Sequence, residues 1–221
     1  MNPASKAVFF DLDGTLIDSL ADLAGAVNAT LAESGWPTHA VESYRQFVGD
    51  GMVRLIERAL PENQRTPATI QATVTRYQEH YSQRWRDLTR PYPGITDLLA
   101  DLANRDWRLG VISNKPDAFT QLCVRHFFPD IAFDVVFGQR DGVPRKPDAA
   151  AGLEAAALVN APIQSCVYVG DSGVDMQFAR ACGMRGIGVA WGFRSEQELR
   201  ENGATAVAMD ATDLTRRLLS D

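Results

Sequence analysis

The sequence predicts an α/β protein in which a doubly wound parallel sheet is interrupted, after its first strand, by a helical insert. Three observations lead to this prediction. Residues 7–10 are apolar and aromatic, as a central strand would be. Residues 17–89 show helical spacing and no strand signal, whereas from residue 90 onward helices alternate with short apolar strands. That alternation is typical of a parallel sheet covered by helices on both faces.

The insert is expected to contain four helices. The first lies between Ser19, a possible cap, and Gly35, a stop signal. Two shorter helices are predicted at 41–48 and 52–60, and a longer one begins at Pro67, a residue favoured in the first helical turn. An apolar stripe on the fourth helix predicts packing in the core of the insert, with a dimer contact as the alternative. The stripe consists of Ile70, Val74, Tyr77, Tyr81, Trp85 and Leu88.

The remaining strands of the sheet follow the insert. A Rossmann-like core is therefore expected from residues 1–16 and 90–221, with residues 17–89 as a helical cap. The later strands are predicted at 108–112, 133–137, 165–169, 186–190 and 204–208.

Composition narrows the possible partners. The 221 residues are 45% hydrophobic and 23% charged, which is ordinary for a globular protein, and the net charge is −6. A chain this acidic is not expected to bind nucleic acid, although a local positive site could still hold a small phosphorylated metabolite. No apolar run is long enough to span a membrane and no signal peptide is visible, so we expect no membrane partner and a cytoplasmic location. Either a monomer or a homodimer fits the sequence.

Polar residues follow four of the predicted strands, at the sheet edge where parallel sheets bind ligands. Taken alone, each group has a simpler explanation as a turn, a helix cap or a solvated lysine. Their joint occurrence at successive strand ends favours a common site. The groups are Asp11, Asp13 and Thr15; Ser113, Asn114 and Lys115; Lys146; and Asp171, Ser172 and Asp175.

These residue types suit phosphoryl transfer. Asp11 can act as a nucleophile and bind a divalent cation such as Mg²⁺, with Asp171 from a neighbouring strand. Asp13 could protonate the leaving oxygen and later deprotonate water. Lys146, with Ser113 and Asn114, would hold the phosphoryl oxygens. Support for the metal or the loop is expected from Asp175, Ser172 and Thr15.

The strand-end motifs resemble those of the haloacid dehalogenase-like superfamily, in its phosphatase branch with a helical cap. The run from Phe10 to Thr15 resembles the first motif, Ser113-Asn114 the second, Lys146-Pro147 the third and residues 170–175 the fourth. The segment around Ser113 and the Gly192-Phe193 region are most similar to phosphoglycolate phosphatase-like members. The sequence departs from the family motifs at two points. The third motif lacks the second proline that often follows Lys146-Pro147, and the fourth has Val174 in place of the usual asparagine.

The resemblance implies a phosphoaspartyl intermediate on Asp11 and acid–base work by Asp13. It also implies Mg²⁺ held by Asp11, Asp171 and the backbone carbonyl of Asp13, together with a cap that closes over the substrate. In the cap, the loop Gly49-Asp50-Gly51 with Arg54 resembles a substrate-contacting loop, although a helix end and a solvent-facing arginine are equally open. Lys115 is a further candidate substrate residue.

The expected reaction is hydrolysis of a small, carboxylated phosphomonoester, with 2-phosphoglycolate as the first compound to test. A phosphatase for an amino-sugar acid 6-phosphate, a phosphosugar mutase and a non-catalytic regulator on the same fold remain alternatives. Phosphonoacetaldehyde hydrolase chemistry is disfavoured because it needs a cap lysine and residues 17–89 contain none. Dehalogenase chemistry is disfavoured by the presence of Asp13.

Overall fold

The computed structural model describes residues 6–220, which divide into two compact units. The first unit comprises the chain up to Ile17 and from Pro91 onward, and the second comprises Asp18–Arg90. Among the described residues, no helix is both long and apolar enough to cross a membrane.

The first unit contains a six-stranded sheet in which all neighbouring strands are parallel. Numbering every strand of the chain in order, the sheet order is β5-β4-β1-β6-β7-β8, while β2 and β3 are two-residue strands where the chain passes between the units. This arrangement confirms the predicted α/β fold class. The strands are β1 Ala7–Phe10, β2 Ile17–Asp18, β3 Arg90–Pro91, β4 Arg108–Pro116, β5 Val135–Gln139, β6 Cys166–Gly170, β7 Arg185–Val189 and β8 Ala206–Ala208.

Helices join the successive strands of the sheet. One apolar cluster joins Phe9 and Tyr168 of the sheet to Phe178 and neighbouring helical residues. Because side chains alternate along a strand, Val8 and Phe10 point to the opposite face, where both are fully buried. Both faces of the sheet are thus covered. The helices of the first unit are Ile95–Asn104, Asp117–Phe127, Ala150–Leu158, Gly173–Cys182, Glu196–Glu201 and Ala211–Leu219.

The second unit consists of four α-helices and two short 3₁₀ turns among its described residues. In the fourth helix Thr66 caps the amide of Thr69, and Val74, Tyr77 and Tyr81 are buried as the stripe predicts. Leu88 departs from the stripe, since it lies beyond the helix end and is 66% exposed. The helices are Leu20–Glu33, Tyr44–Phe47, Met52–Ala59 and Pro67–Arg84, and the 3₁₀ turns are Val41–Ser43 and Glu62–Gln64.

A buried carboxylate joins the two ends of the second unit. Asp22 in the first helix accepts hydrogen bonds from the Thr89 amide at 2.8 Å and the Thr89 hydroxyl at 2.6 Å. It also accepts from the Leu88 amide at 3.0 Å. These bonds hold the returning chain against the first helix.

Candidate active site

The register of the central strands brings the predicted residues to one edge of the sheet. Phe10 pairs with Val111 of β4 and with Val169 of β6, so the residues that follow these paired positions start at the same level. Asp11 continues this ladder by donating its amide to the Val169 carbonyl at 2.9 Å. Carboxylates from β1 and β6 and polar groups from β4 therefore meet at the carboxyl end of the sheet.

Asp11 is buried next to a lysine. Its Oδ1 lies 2.9 Å from Lys146 Nζ, but no aligned hydrogen bond reaches this oxygen within the described part of the chain. Burial raises the pKa of Asp11 to about 6; Lys146 opposes this shift, and the charges of Asp175 and Asp13 add to it. A buried carboxylate oxygen without a hydrogen bond is costly, and a cation bound there would offset that cost.

Lys146 is the positive centre of the cluster. Besides Asp11, its ammonium contacts Asp175 Oδ1 at 2.7 Å and donates to the Tyr168 hydroxyl at 2.8 Å. Burial acts to lower the pKa of Lys146, but the carboxylates of Asp11 and Asp175 outweigh it and raise that pKa. The lysine is therefore a fixed charge rather than a proton donor.

Asn114 holds the backbone of Lys146. Its Nδ2 donates to the Lys146 carbonyl at 3.2 Å, and its Oδ1 accepts from the Lys146 amide at 3.0 Å. The neighbouring Ser113 Oγ accepts from the Lys115 amide at 3.3 Å. In this structure Asn114 thus positions Lys146, and phosphate binding by Ser113 and Asn114 stays a prediction.

Asp171 is enclosed by backbone. Its Oδ2 accepts from the Phe193 amide at 2.7 Å, and Thr15 Oγ1 donates to its Oδ1 at 3.3 Å. Any side-chain carbon at Gly14 or Gly192 would collide with this carboxylate. Burial raises the pKa of Asp171 well above its ordinary range, and the charges of Asp175 and Asp11 add to the effect.

Asp175 completes the acidic cluster and also caps a helix. Ser172 donates its amide at 3.0 Å and its hydroxyl at 2.6 Å to Asp175 Oδ2, while Ser172 Oγ accepts from the Asp175 amide. This reciprocal capping box fixes the start of helix Gly173–Cys182. Asp175 thus caps the helix while it lies in the acidic cluster, and its support of a metal stays a prediction.

The cluster fits a divalent cation. Oxygens of Asp11, Asp171 and Asp175 lie within 4.8 Å of one another, and all three residues are buried. A single ammonium, that of Lys146, contacts Asp11 and Asp175, and Asp11 Oδ1 accepts no aligned hydrogen bond in the described part of the chain. Buried charges persist when they are paired or bind metals, and an oxygen-only set suits a hard cation such as Mg²⁺.

Asp13 pairs with a second lysine. Lys115 Nζ donates to both Asp13 carboxylate oxygens, each at 2.9 Å. The two aspartates of the first motif are therefore held by different ammonium groups, Asp11 by Lys146 and Asp13 by Lys115. Such separation allows them different chemical roles.

The predicted substrate loop lies in the second unit. Gly49 and Gly51 both have positive φ, at 119° and 85°, which favours glycine at these positions. Asp50 pairs with Arg58 at 2.5 Å, whereas Arg54 pairs with Glu57 at 2.5 Å. A substrate-binding role for Gly49, Asp50, Gly51 and Arg54 stays a prediction.

Two contributors were not evident from the sequence. Tyr168 lies inside an apolar strand, yet its hydroxyl donates to the Ile112 carbonyl at 2.7 Å and accepts from Lys146. A buried tyrosine hydroxyl normally needs a partner, and this was the available signal. Gly192 shapes the Asp171 pocket, and its sequence context gives no direct sign of that contact.

Comparisons with known proteins agree with this site. A family model described as haloacid dehalogenase-like hydrolase matches residues 8–189. A phosphoglycolate phosphatase from Cereibacter sphaeroides is 36% identical over 217 residues, which is 96% of this chain and 99% of the relative. One from Pseudomonas syringae pv. tomato is 32% identical over 209 residues, covering 93% of this chain and 76% of the relative.

The fold has close counterparts among solved structures. The crystal structure of a proposed phosphoglycolate phosphatase from Lactobacillus delbrueckii subsp. bulgaricus aligns with a TM-score of 0.92 at 32% identity, over 99% of this chain and 100% of that one. Fold and site together define an α/β enzyme that places carboxylates and lysines at the ends of parallel strands. The chain belongs to the haloacid dehalogenase-like hydrolase family. Both the predicted family and the predicted enzyme type, a phosphatase, are confirmed.

Proposed function

We propose that this chain is a Mg²⁺-dependent phosphomonoester hydrolase that works through a phosphoaspartyl intermediate on Asp11. The observation that carries the proposal is the position of Asp11 at a strand end, beside Lys146 and the carboxylates of Asp171 and Asp175. A nucleophilic carboxylate, a fixed positive charge and an acidic set with room for a cation are the groups that phosphoryl transfer requires.

The metal would be held by Asp11 and Asp171, with the backbone carbonyl of Asp13 as the further ligand implied by the family resemblance. Asp175 would support the site, because its oxygens already accept from Lys146 and Ser172. When bound, Mg²⁺ supplies positive charge that neutralises phosphoryl oxygens during transfer. Thr15 and the Phe193 amide orient Asp171 for this task.

The proposed reaction has two steps. In the first, a carboxylate oxygen of Asp11 forms a bond to phosphorus as the ester P–O bond breaks, and Asp13 gives its proton to the leaving oxygen. In the second, Asp13 takes a proton from water as the water oxygen attacks phosphorus and releases Asp11. Lys146 holds the phosphoryl charge in both steps.

The proposed substrate is a small carboxylated phosphomonoester, with 2-phosphoglycolate first. Support comes from the relatives named phosphoglycolate phosphatase, one of which aligns over 96% of this chain and 99% of its own length. Closure of the helical unit over the substrate, with contacts from the loop 49–51, is part of the proposal. Lys115 is proposed to act on Asp13 rather than on the substrate, as argued below.

A panel of phosphomonoesters assayed with Mg²⁺ tests this function. We expect the highest kcat/KM with 2-phosphoglycolate, a lower value with neutral sugar phosphates, and loss of activity in Asp11→Asn. A preference for an amino-sugar acid 6-phosphate would change the substrate and keep the mechanism. Formation of an isomeric sugar phosphate without free phosphate would establish a mutase, and no turnover of any ester would favour a non-catalytic regulator.

A further inference from the structure

We infer that Lys115 is the positioning residue of Asp13, fixing the orientation of its carboxylate for proton transfer to and from the reacting oxygens. The inference rests on the proposed function, because it assigns a task to Asp13 within that reaction. It differs from the substrate-binding role that the sequence alone suggests for Lys115.

The contact between the two side chains is buried and two-sided. The Lys115 side chain is 4% exposed and that of Asp13 is 11% exposed. The ammonium donates to Oδ1 and to Oδ2 at the same distance, 2.9 Å. A donor shared equally by both oxygens opposes rotation of the carboxylate about its last torsion angle, which is otherwise a soft motion.

The backbone around Asp13 is already fixed by other bonds. The Gly14 amide donates to the Ile17 carbonyl at 2.9 Å, and the Leu16 amide donates to the Leu12 carbonyl at 2.9 Å. With the turn closed in this way, the side-chain torsions are the remaining freedom of Asp13. The two hydrogen bonds from Lys115 restrict these side-chain torsions.

Lys115 is itself held in place. It belongs to the end of β4, where its amide donates to Ser113 Oγ and its carbonyl accepts from Thr120 Oγ1 at 3.2 Å. An anchored donor can impose an orientation on its partner, whereas a mobile surface lysine loses the benefit to side-chain entropy.

The use of lysine in this chain supports the assignment. Of the 22 basic residues only Lys6, Lys115 and Lys146 are lysines, and the two buried ones each contact one aspartate of the first motif. Burying a lysine is costly unless its charge is paired. Each proposed role thus has its own lysine: Lys146 contacts the nucleophile Asp11, and Lys115 contacts the acid–base residue Asp13.

The assignment has a kinetic signature. When the P–O ester bond breaks, the departing oxygen takes the proton from Asp13, and this transfer matters most for strongly basic leaving groups. An alkyl ester such as 2-phosphoglycolate or ethyl phosphate needs the proton, whereas 4-nitrophenyl phosphate releases a weakly basic phenolate. The value of kcat/KM depends on the steps up to departure of this group, so it measures the loss of proton transfer from Asp13 without a contribution from the second step.

The test compares Lys115→Met with wild type on these three esters in the presence of Mg²⁺. We expect kcat/KM to fall about 10²-fold for both alkyl esters and less than about 5-fold for 4-nitrophenyl phosphate. Lys115→Arg, which keeps the cation, should recover part of the loss. Lys6→Met is the matched control, because Lys6 is exposed immediately before β1, at the opposite edge of the sheet, and its replacement should leave all three values unchanged.

A double variant separates positioning from direct substrate contact. Adding Lys115→Met to Asp13→Asn should lower kcat/KM no further if the lysine acts only through Asp13. This comparison also removes the unpaired charge, so it remains decisive if Lys115→Met alone folds poorly. A second full loss in the double variant, or a loss confined to 2-phosphoglycolate that spares ethyl phosphate, would overturn the inference. Wild-type protein inactive on all three esters would instead refute the proposed function.

Discussion

Gly192 gives the most direct geometric test of the Asp171 pocket. A side-chain carbon at this position would lie 2.6 Å from Asp171 Oδ2 and 2.6 Å from the Gly14 carbonyl oxygen, with Asp171 Cβ also in collision. Ordinary contact begins at 3.4 Å, so relief of the two oxygen contacts alone requires Gly192→Ala to displace the carboxylate or the loop by about 0.8 Å, and the Asp171 Cβ contact requires more. A misplacement near 1 Å in a reacting site can cost about 10²-fold in rate.

The assay is kcat/KM at several Mg²⁺ concentrations, with thermal unfolding as the check on folding. We expect Gly192→Ala to lose about 10²-fold in kcat/KM and to need more Mg²⁺ for half-maximal activity. Gly188→Ala is the matched control, because its new carbon would crowd Leu199 at 2.9 Å and contacts no carboxylate. A folded Gly192→Ala variant with wild-type kcat/KM and Mg²⁺ requirement would refute the role given to this pocket.

Three further outcomes follow from the same structure. Lys146→Met should lower the free energy of unfolding by about 3–5 kcal/mol, because it leaves Asp11 and Asp175 buried without their cation. Urea unfolding measures this change. Adding Asp175→Asn should recover part of the lost stability. Because the pKa of Asp11 is raised from 3.8 to about 6, the metal-free folded state binds a proton that the unfolded chain releases, so stability should fall as pH rises between these values. Mg²⁺ should cancel that loss, giving a larger increase in Tm near pH 7 than near pH 5; equal shifts would contradict the expectation. Asp22→Ala should cost about 2–4 kcal/mol in thermal unfolding, since the Leu88 and Thr89 amides lose their acceptor; a change below about 0.5 kcal/mol would contradict it.

The order of strands and helices could be predicted because each strand is a short apolar run bounded by polar residues or glycine. The residues at which the strands begin and end were less predictable from the sequence. The predicted strand 108–112 continues as β4 to Pro116, because the polar site residues from Ser113 onward remain in the extended chain. The predicted strand 133–137 begins two residues later, because Asp134 uses its amide and carboxylate to bond the backbone of Leu109.

The site could be predicted as a set of residues but not as a set of pairs. Polar groups after parallel strands must share one edge of the sheet, which is why Asp11, Asp171 and Lys146 were identified together. Which lysine would meet which aspartate depends on side-chain packing between positions about a hundred residues apart. The Lys115–Asp13 pair therefore emerged only with the structure.

Contacts between backbone groups and side chains were the other feature of the site that could not be predicted from the sequence. The Phe193 amide on Asp171 and the Asn114 amide on the Lys146 backbone leave no pattern in residue type or spacing. Asn114 was predicted, with Ser113 and Lys146, to hold the phosphoryl oxygens, but a side-chain amide that can donate to phosphate can equally hold a neighbouring chain.

The phosphoaspartyl intermediate on Asp11 is the central claim, and trapping it is the most direct measurement. Asp13→Asn protein would be mixed with 4-nitrophenyl phosphate and Mg²⁺, quenched in acid and mapped by peptide mass spectrometry. The leaving group departs without an acid, but the second step lacks its base, so one phosphoryl group should accumulate on Asp11. Release of 4-nitrophenol with no phosphoryl group on Asp11, or with one on another residue, would contradict the mechanism.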